Sequence, residues 1–215
     1  MKNSRSIPAI LFACVLIATV LTPIVVSAEI NSGFKIGGGS SELTGIPVPD
    51  DTTGASLDSR TVFSAGIFGV LDWTRFLGLD LGIQLEGLYA QKGAEDILVH
   101  YLEFPVLARV NVPIGGLGIH VLAGPVFAFQ QNCSGCEVPL KTVDIEAMLG
   151  AGIDIGVGSS TFTVEARYAK SLSDINDSTS PPSDAYEIKN QSFGLTLGFS
   201  RLFGGSEESD SDSPD

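Results

Sequence analysis

One group of residues could do chemistry together if the fold gave it a shared interior. Glu86, Glu103, Glu146 and Glu165 sit on the polar side of long alternating segments, and so do Arg109, Arg167 and His120. Asp80, Asp144, Asp154 and Lys35 belong to the same set. Charges brought inside a protein must pair and hydrogen-bond, or they neutralise. The set therefore reads as a packed polar plug. Its acids outnumber its bases, so a narrow, cation-preferring path is the alternative. Periodicity does not assign the pairs; Glu103, Arg109, Glu86 and Glu165 are the first to test.

Catalysis has weaker support. A hydrolase needs a nucleophile oriented by a base, and the histidines are His100 and His120. By parity His120 joins the polar set and His100 the apolar one, and no serine elbow accompanies either. An enzyme is not expected; a lipid-modifying activity is kept as a further alternative. The histidines are too far apart to make a metal cluster. "GAGIDIG" (150–156) has the wrong spacing for a dinucleotide loop and opens no helix. No cofactor is expected. Cys133 and Cys136 form a CxxC without a thioredoxin-like helix or a second ligand pair, so outside the cytosol a small loop disulfide is the expected state.

The elements that would position these residues are strands. In residues 77–89, Leu77, Leu79, Leu81, Ile83, Leu85 and Tyr89 fall on one parity; Gly78, Asp80, Gly82, Gln84 and Glu86 fall on the other. Alternate strand side chains point to opposite faces, so the segment has one apolar and one polar or small face. The pattern recurs at 117–127, 143–157, 162–168 and 193–200. Eight strands are expected near 31–39, 61–73, 77–91, 99–112, 117–130, 142–157, 161–172 and 188–203. Their connections alternate long and short. The long ones are 40–60, 92–98, 131–141 and 173–187; the short ones are 74–76, 113–116 and 158–160. In an up-and-down meander this puts every long loop at one end.

The N-terminus reads as an export signal. Lys2 and Arg5 precede an apolar run, and Val26-Ser27-Ala28 supplies small residues for cleavage. The expected organisation is a signal peptide over 1–28, a barrel over 29–203 and an acidic, disordered tail over 204–215. A lipoprotein signal at Cys14 is the minor alternative, because the apolar run continues past it. Cleavage would remove Lys2 and Arg5 but no acid, taking the formal net charge from −13 to −15. With no basic stripe, nucleic acid is not an expected partner.

An even count of long strands, with long loops at one end, describes a small outer-membrane barrel. The other candidate is a soluble, lipocalin-type barrel, which is apolar inside. Two features favour the membrane: glycine crowds the polar parity, and the apolar parity runs unbroken over long strands. Trp73, Phe76 and Phe203 near one end, and Phe63, Tyr89, Phe129 and Tyr168 near the other, fit aromatic girdles. The segments "QLEGLYAQKGAE" (84–95), "YLEFPVLARV" (101–110), "AGPVFAF" (123–129) and "EARYAKSL" (165–172) resemble, in order, the bacterial outer-membrane beta-barrel domain family of porin-family or PorT-like proteins. That resemblance covers about residues 31–203. It implies an eight-stranded antiparallel transmembrane barrel in a Gram-negative outer membrane. Outer-membrane lipid and other surface or envelope proteins would be its partners, the latter through the long loops. The expected role is structural or interactive.

Within "YLEFPVLARV", Pro105 removes a donor from a strand that should be fully paired. Proline inside sheets is usually confined to edges or bulges, and a closed barrel has no edge. A local bulge at Pro105 is the expectation.

Overall fold

The computed structural model describes residues 29–44, 59–94, 97–135, 141–173 and 189–203. The expected signal peptide, most of the first long loop, Cys136 and the acidic tail lie outside the described residues. The strands are β1 (Glu29–Thr44), β2 (Arg60–Phe76), β3 (Leu79–Ala94), β4 (Ile97–Ile114), β5 (Leu117–Ser134), β6 (Val143–Val157), β7 (Ser160–Ser171) and β8 (Lys189–Phe203). Each pairs antiparallel with its neighbours, and β1 pairs with β8 to close an eight-stranded barrel.

The barrel is staggered. The pairs Ile30–Leu71, Leu71–Ile83, Ile83–Ala108 and Ala108–Ala123 lead half-way round. The pairs Ala123–Leu149, Leu149–Tyr168, Tyr168–Phe193 and Phe193–Ser40 complete the circuit on β1 at Ser40, not at Ile30. Such a stagger requires strands tilted to the barrel axis, and eight of them leave an interior that side chains can fill.

Polarity is inside-out. Ile67 is 69% exposed and Leu149 59%, whereas Lys35 is 1% exposed and Glu165 0%. The outward residues of β6 from Val143 to Val157 are all apolar, and so are those of β8 from Phe193 to Leu197. A soluble monomer rarely exposes a continuous apolar patch beyond a few hundred Å²; here apolar side chains dominate the outward parity of strand after strand. Closure satisfies the backbone groups that lipid cannot. This is a transmembrane β-barrel of the outer-membrane kind, and the lipocalin alternative, with its apolar interior, does not describe it. Glycine on the inner parity makes room: a Cβ at Gly152 would lie 2.7 Å from both His120 Nε2 and Glu165 Cγ.

Three expectations change. The first turn falls at Leu77–Gly78, not at 74–76. Both residues have left-handed φ, 52° and 81°, which suits a two-residue hairpin. The second loop-side connection is short, because β3 and β4 stay paired up to Ala94–Ile97. Strict long–short alternation therefore fails there; pairing continues past the apolar stretch that set the expected strand ends.

The third change concerns Pro105. Register is continuous through it, from Leu88–Glu103 to Leu85–Val106, without a shift. Only Glu86 and Gly87, opposite Pro105 and Phe104, drop out of the ladder, as expected for one absent N–H. Pro125 has the same effect on the β4–β5 side, where pairing skips from Pro105–Val126 to Ala108–Ala123. Each proline deletes a bond without adding a residue, so no bulge is needed. The bulges lie between Asp72 and Thr74 and between His100 and Tyr101. Phe76 is exposed beside the tight turns, while Phe63, Tyr89 and Tyr168 are exposed toward the loop side; the side chains of Trp73 and Phe203 lie outside the described set.

Candidate functional site

The inward parity of β1, β3, β7 and β8 builds a central charge layer. Lys35 donates to Glu86 Oε1 at 3.0 Å and to Glu165 Oε2 at 2.8 Å. Arg167 grips Glu86 with two parallel bonds, Nη1 to Oε2 at 2.7 Å and Nη2 to Oε1 at 2.5 Å. Its Nε also reaches Glu165 Oε2 at 2.7 Å. Gln84 donates to Glu86 at 2.6 Å, and Thr196 to Glu165 at 3.3 Å. Two cations thus face two anions, with amide and hydroxyl donors around them. The Lys35 ammonium also sits 4.5 Å above the centre of the Phe68 ring. Bidentate, charge-assisted bonds of this type are the strong ones.

Toward the tight turns lies a second layer. His120 places Nε2 3.3 Å from Glu165 Oε1 and Nδ1 3.1 Å from Asp154 Oδ2, linking this layer to the centre. Arg109 contacts Asp154, and Thr163 donates to Asp154 Oδ1 at 2.7 Å. Asp80 accepts from Arg75 Nε at 2.6 Å and from Asn111 at 3.3 Å. A polar cavity of about 230 Å³ opens here, beside Arg109, Asn111, Asp154 and Thr163.

Toward the loops is a third layer. Lys92 lies 2.6 Å from Glu103 Oε1 and donates to Glu146 at 2.6 and 2.5 Å. Ser171 donates to Asp144 at 2.6 Å. Acids exceed bases in this layer. Alongside, Leu107, Leu122, Val126, Met148 and Ala169 form an apolar cluster on the β4–β7 side of the lumen. The interior is therefore a polar network backed by packed hydrocarbon, not a uniformly polar column.

The structure places Glu86, Glu103, Arg109, His120, Glu146, Glu165 and Arg167 all inside the barrel. It divides them among layers: Glu86, Glu165 and Arg167 together, Arg109 with His120, and Glu103 with Glu146. Glu103 does not pair with Arg109. Sequence reasoning missed Lys92 by assigning it to a loop. Its parity with Gln84, Glu86, Leu88 and Ala90 was the available signal. His100 faces outward and bonds Tyr89 through Nδ1. Cys133 is disulfide-bonded, and Cys136, its expected partner, is outside the described residues. Among the described residues no group of three or more His, Cys, Asp or Glu could hold a metal ion.

No family model matches the chain, and no curated protein matches it. Solved structures of similar fold do exist. The outer membrane enzyme PagL is 14% identical, with 78% of this chain and 97% of that chain covered at a TM-score of 0.49. Outer membrane protein OprG from Pseudomonas aeruginosa is 13% identical over 82% and 95%, with a TM-score of 0.46. Neisserial surface protein A is 12% identical over 79% and 97%, with a TM-score of 0.43.

Proposed function

We propose that the protein is a small outer-membrane barrel of the porin-family or PorT-like group, with a non-catalytic structural or interaction role. Its wall contacts outer-membrane lipid, and its loop-side connections contact surface or envelope proteins. The observation that supports this most is the closed lumen. Arg167, Lys35, Glu86 and Glu165 join β1, β3 and β7 across the interior, and the Leu107–Met148 cluster fills the other side. Such an interior braces the wall from within and, among the described residues, packs the middle of the lumen with paired side chains.

Planar-bilayer recording of the purified protein tests this reading, which predicts no reproducible single-channel steps. The acid excess around Lys92 favours, as the second reading, a narrow cation-preferring pore. Steps that shift when Glu103 is changed to Gln would replace the plug with that pore.

A further inference from the structure

His120 stands between partners that ask opposite things of it. Its Nε2 lies 3.3 Å from Glu165 Oε1, a carboxylate oxygen that can only accept. The proton of a neutral ring therefore sits on Nε2, and Nδ1 carries a lone pair. Two groups meet that Nδ1, each at 3.1 Å: Arg109 Nη2, which can only donate, and Asp154 Oδ2, which can only accept. Nδ1 satisfies Arg109 when the ring is neutral and Asp154 when the ring is charged. It cannot satisfy both at once.

The surroundings supply partners for each arrangement. With a neutral ring, Arg109 bridges Asp154 and His120. With a charged ring, the imidazolium donates to Asp154 and Glu165, and Arg109 Nη2 is left facing an N–H of like charge. The guanidinium then has somewhere to go. It borders the polar cavity of about 230 Å³, and its Nε, though buried, bonds no group among the described residues. Asp72 lines the same cavity from β2 and offers a second acid. Around the triad and the central layer, the cations are Lys35 on β1, Arg75 on β2, Arg109 on β4 and Arg167 on β7. The acids are Asp72 on β2, Asp80 and Glu86 on β3, Asp154 on β6 and Glu165 on β7. Among the described residues, β8 adds hydroxyls here, from Thr196 and Ser200. Five acids thus meet four cations, and one proton on His120 evens the count.

We infer that His120, Arg109 and Asp154 form a proton-operated switch at the tight-turn mouth of the lumen. Protonation of His120 transfers Asp154 from Arg109 to the ring and turns the guanidinium into the cavity, toward Asp72. The mouth therefore has one shape on the alkaline side of the transition and another on the acid side. Such a device needs two discrete side-chain arrangements and a group whose charge chooses between them. The triad supplies both. The switch concerns the lumen alone and stands whether or not the loops bind a partner.

Nitrogen NMR of the nitrogen-15-labelled protein, folded in detergent, tests the switch. The titration runs from about pH 9 to about pH 4, a span that brackets the ordinary histidine value of about 6.5. The chain has two histidines, so His100→Gln leaves His120 as the one imidazole in the spectrum. One bare and one protonated ring nitrogen are expected at high pH, and two protonated nitrogens at low pH. The Arg109 Nε signal should shift with the same midpoint. Asp154→Asn, which withdraws the acceptor of the charged form, should lower that midpoint by about 1 pH unit or more. His120→Asn should leave the Arg109 signal flat over the whole range. A ring that keeps one charge state throughout, or that titrates while Arg109 Nε stays still, overturns the switch. So does an unchanged midpoint in Asp154→Asn. The wild-type titration alone carries the first two outcomes if a variant does not fold.

Discussion

Arg167 on β7 and Glu86 on β3 are joined across the lumen by two parallel hydrogen bonds, at 2.7 and 2.5 Å, with both side chains buried. The contact spans 81 positions of sequence. It ties together strands that are not neighbours in the sheet, so it acts on the shape of the whole barrel.

Removing one partner of a buried pair leaves a charge without compensation, at about 3–5 kcal/mol. Arg167→Met is expected to lose that much, measured by urea unfolding in lipid vesicles. The double variant Glu86→Gln with Arg167→Met should lose less than the sum of the two single changes, since the orphaned charge goes with its partner. Strict additivity would show that the two residues do not act as a unit.

Among the described residues, Lys92 is the sole cation ion-paired with Glu103 and Glu146. Lys92→Met should therefore destabilise the barrel by several kcal/mol, whereas Glu103→Gln should cost less, because Glu146 still holds the ammonium. The same unfolding assay ranks them; a larger loss for Glu103→Gln would contradict the arrangement.

Gly152 faces the lumen where His120 and Glu165 meet. A side chain there would also approach the Val164 carbonyl, with its Cβ only 2.6 Å away. Gly152→Val is expected to lose at least about 1–3 kcal/mol through overpacking. A neutral result would mean that the interior is loosely filled.

Pro105→Ala restores one donor toward β3. A ladder bond contributes about 0.5–1.5 kcal/mol, and the lost rigidity of proline offsets about 0.4–1 kcal/mol. The net change should stay within about 1 kcal/mol. Loss of several kcal/mol would show that Pro105 shapes the strand in a way its unshifted register does not reveal.

The inner face of the barrel was readable because strand parity needs no knowledge of partners: Glu86, Glu165 and Arg167 fall inside whatever the register. Which of them meet depends on stagger and tilt, and these are set by all eight pairings at once. Glu103 and Arg109 lie six residues apart on one strand, on the same face. They end in different layers, because Glu103 pairs with Lys92 of β3, which also holds Glu146 of β6, whereas Arg109 meets Asp154 of β6. Lys92 escaped notice because the β3–β4 hairpin stays paired beyond the apolar stretch. The bulge expected at Pro105 rested on the edge rule. An antiparallel ladder can instead lose one bond and keep its register, as β4 does on both sides.

The protein is a closed, membrane-embedded barrel with a largely apolar wall and a charged, packed interior. Gel mobility of the membrane fraction with and without boiling tests it most directly. A fast-migrating form that shifts to the unfolded position only after boiling is the expected result. A single band of unchanged mobility, with folded protein recovered from the soluble fraction without detergent, would contradict it.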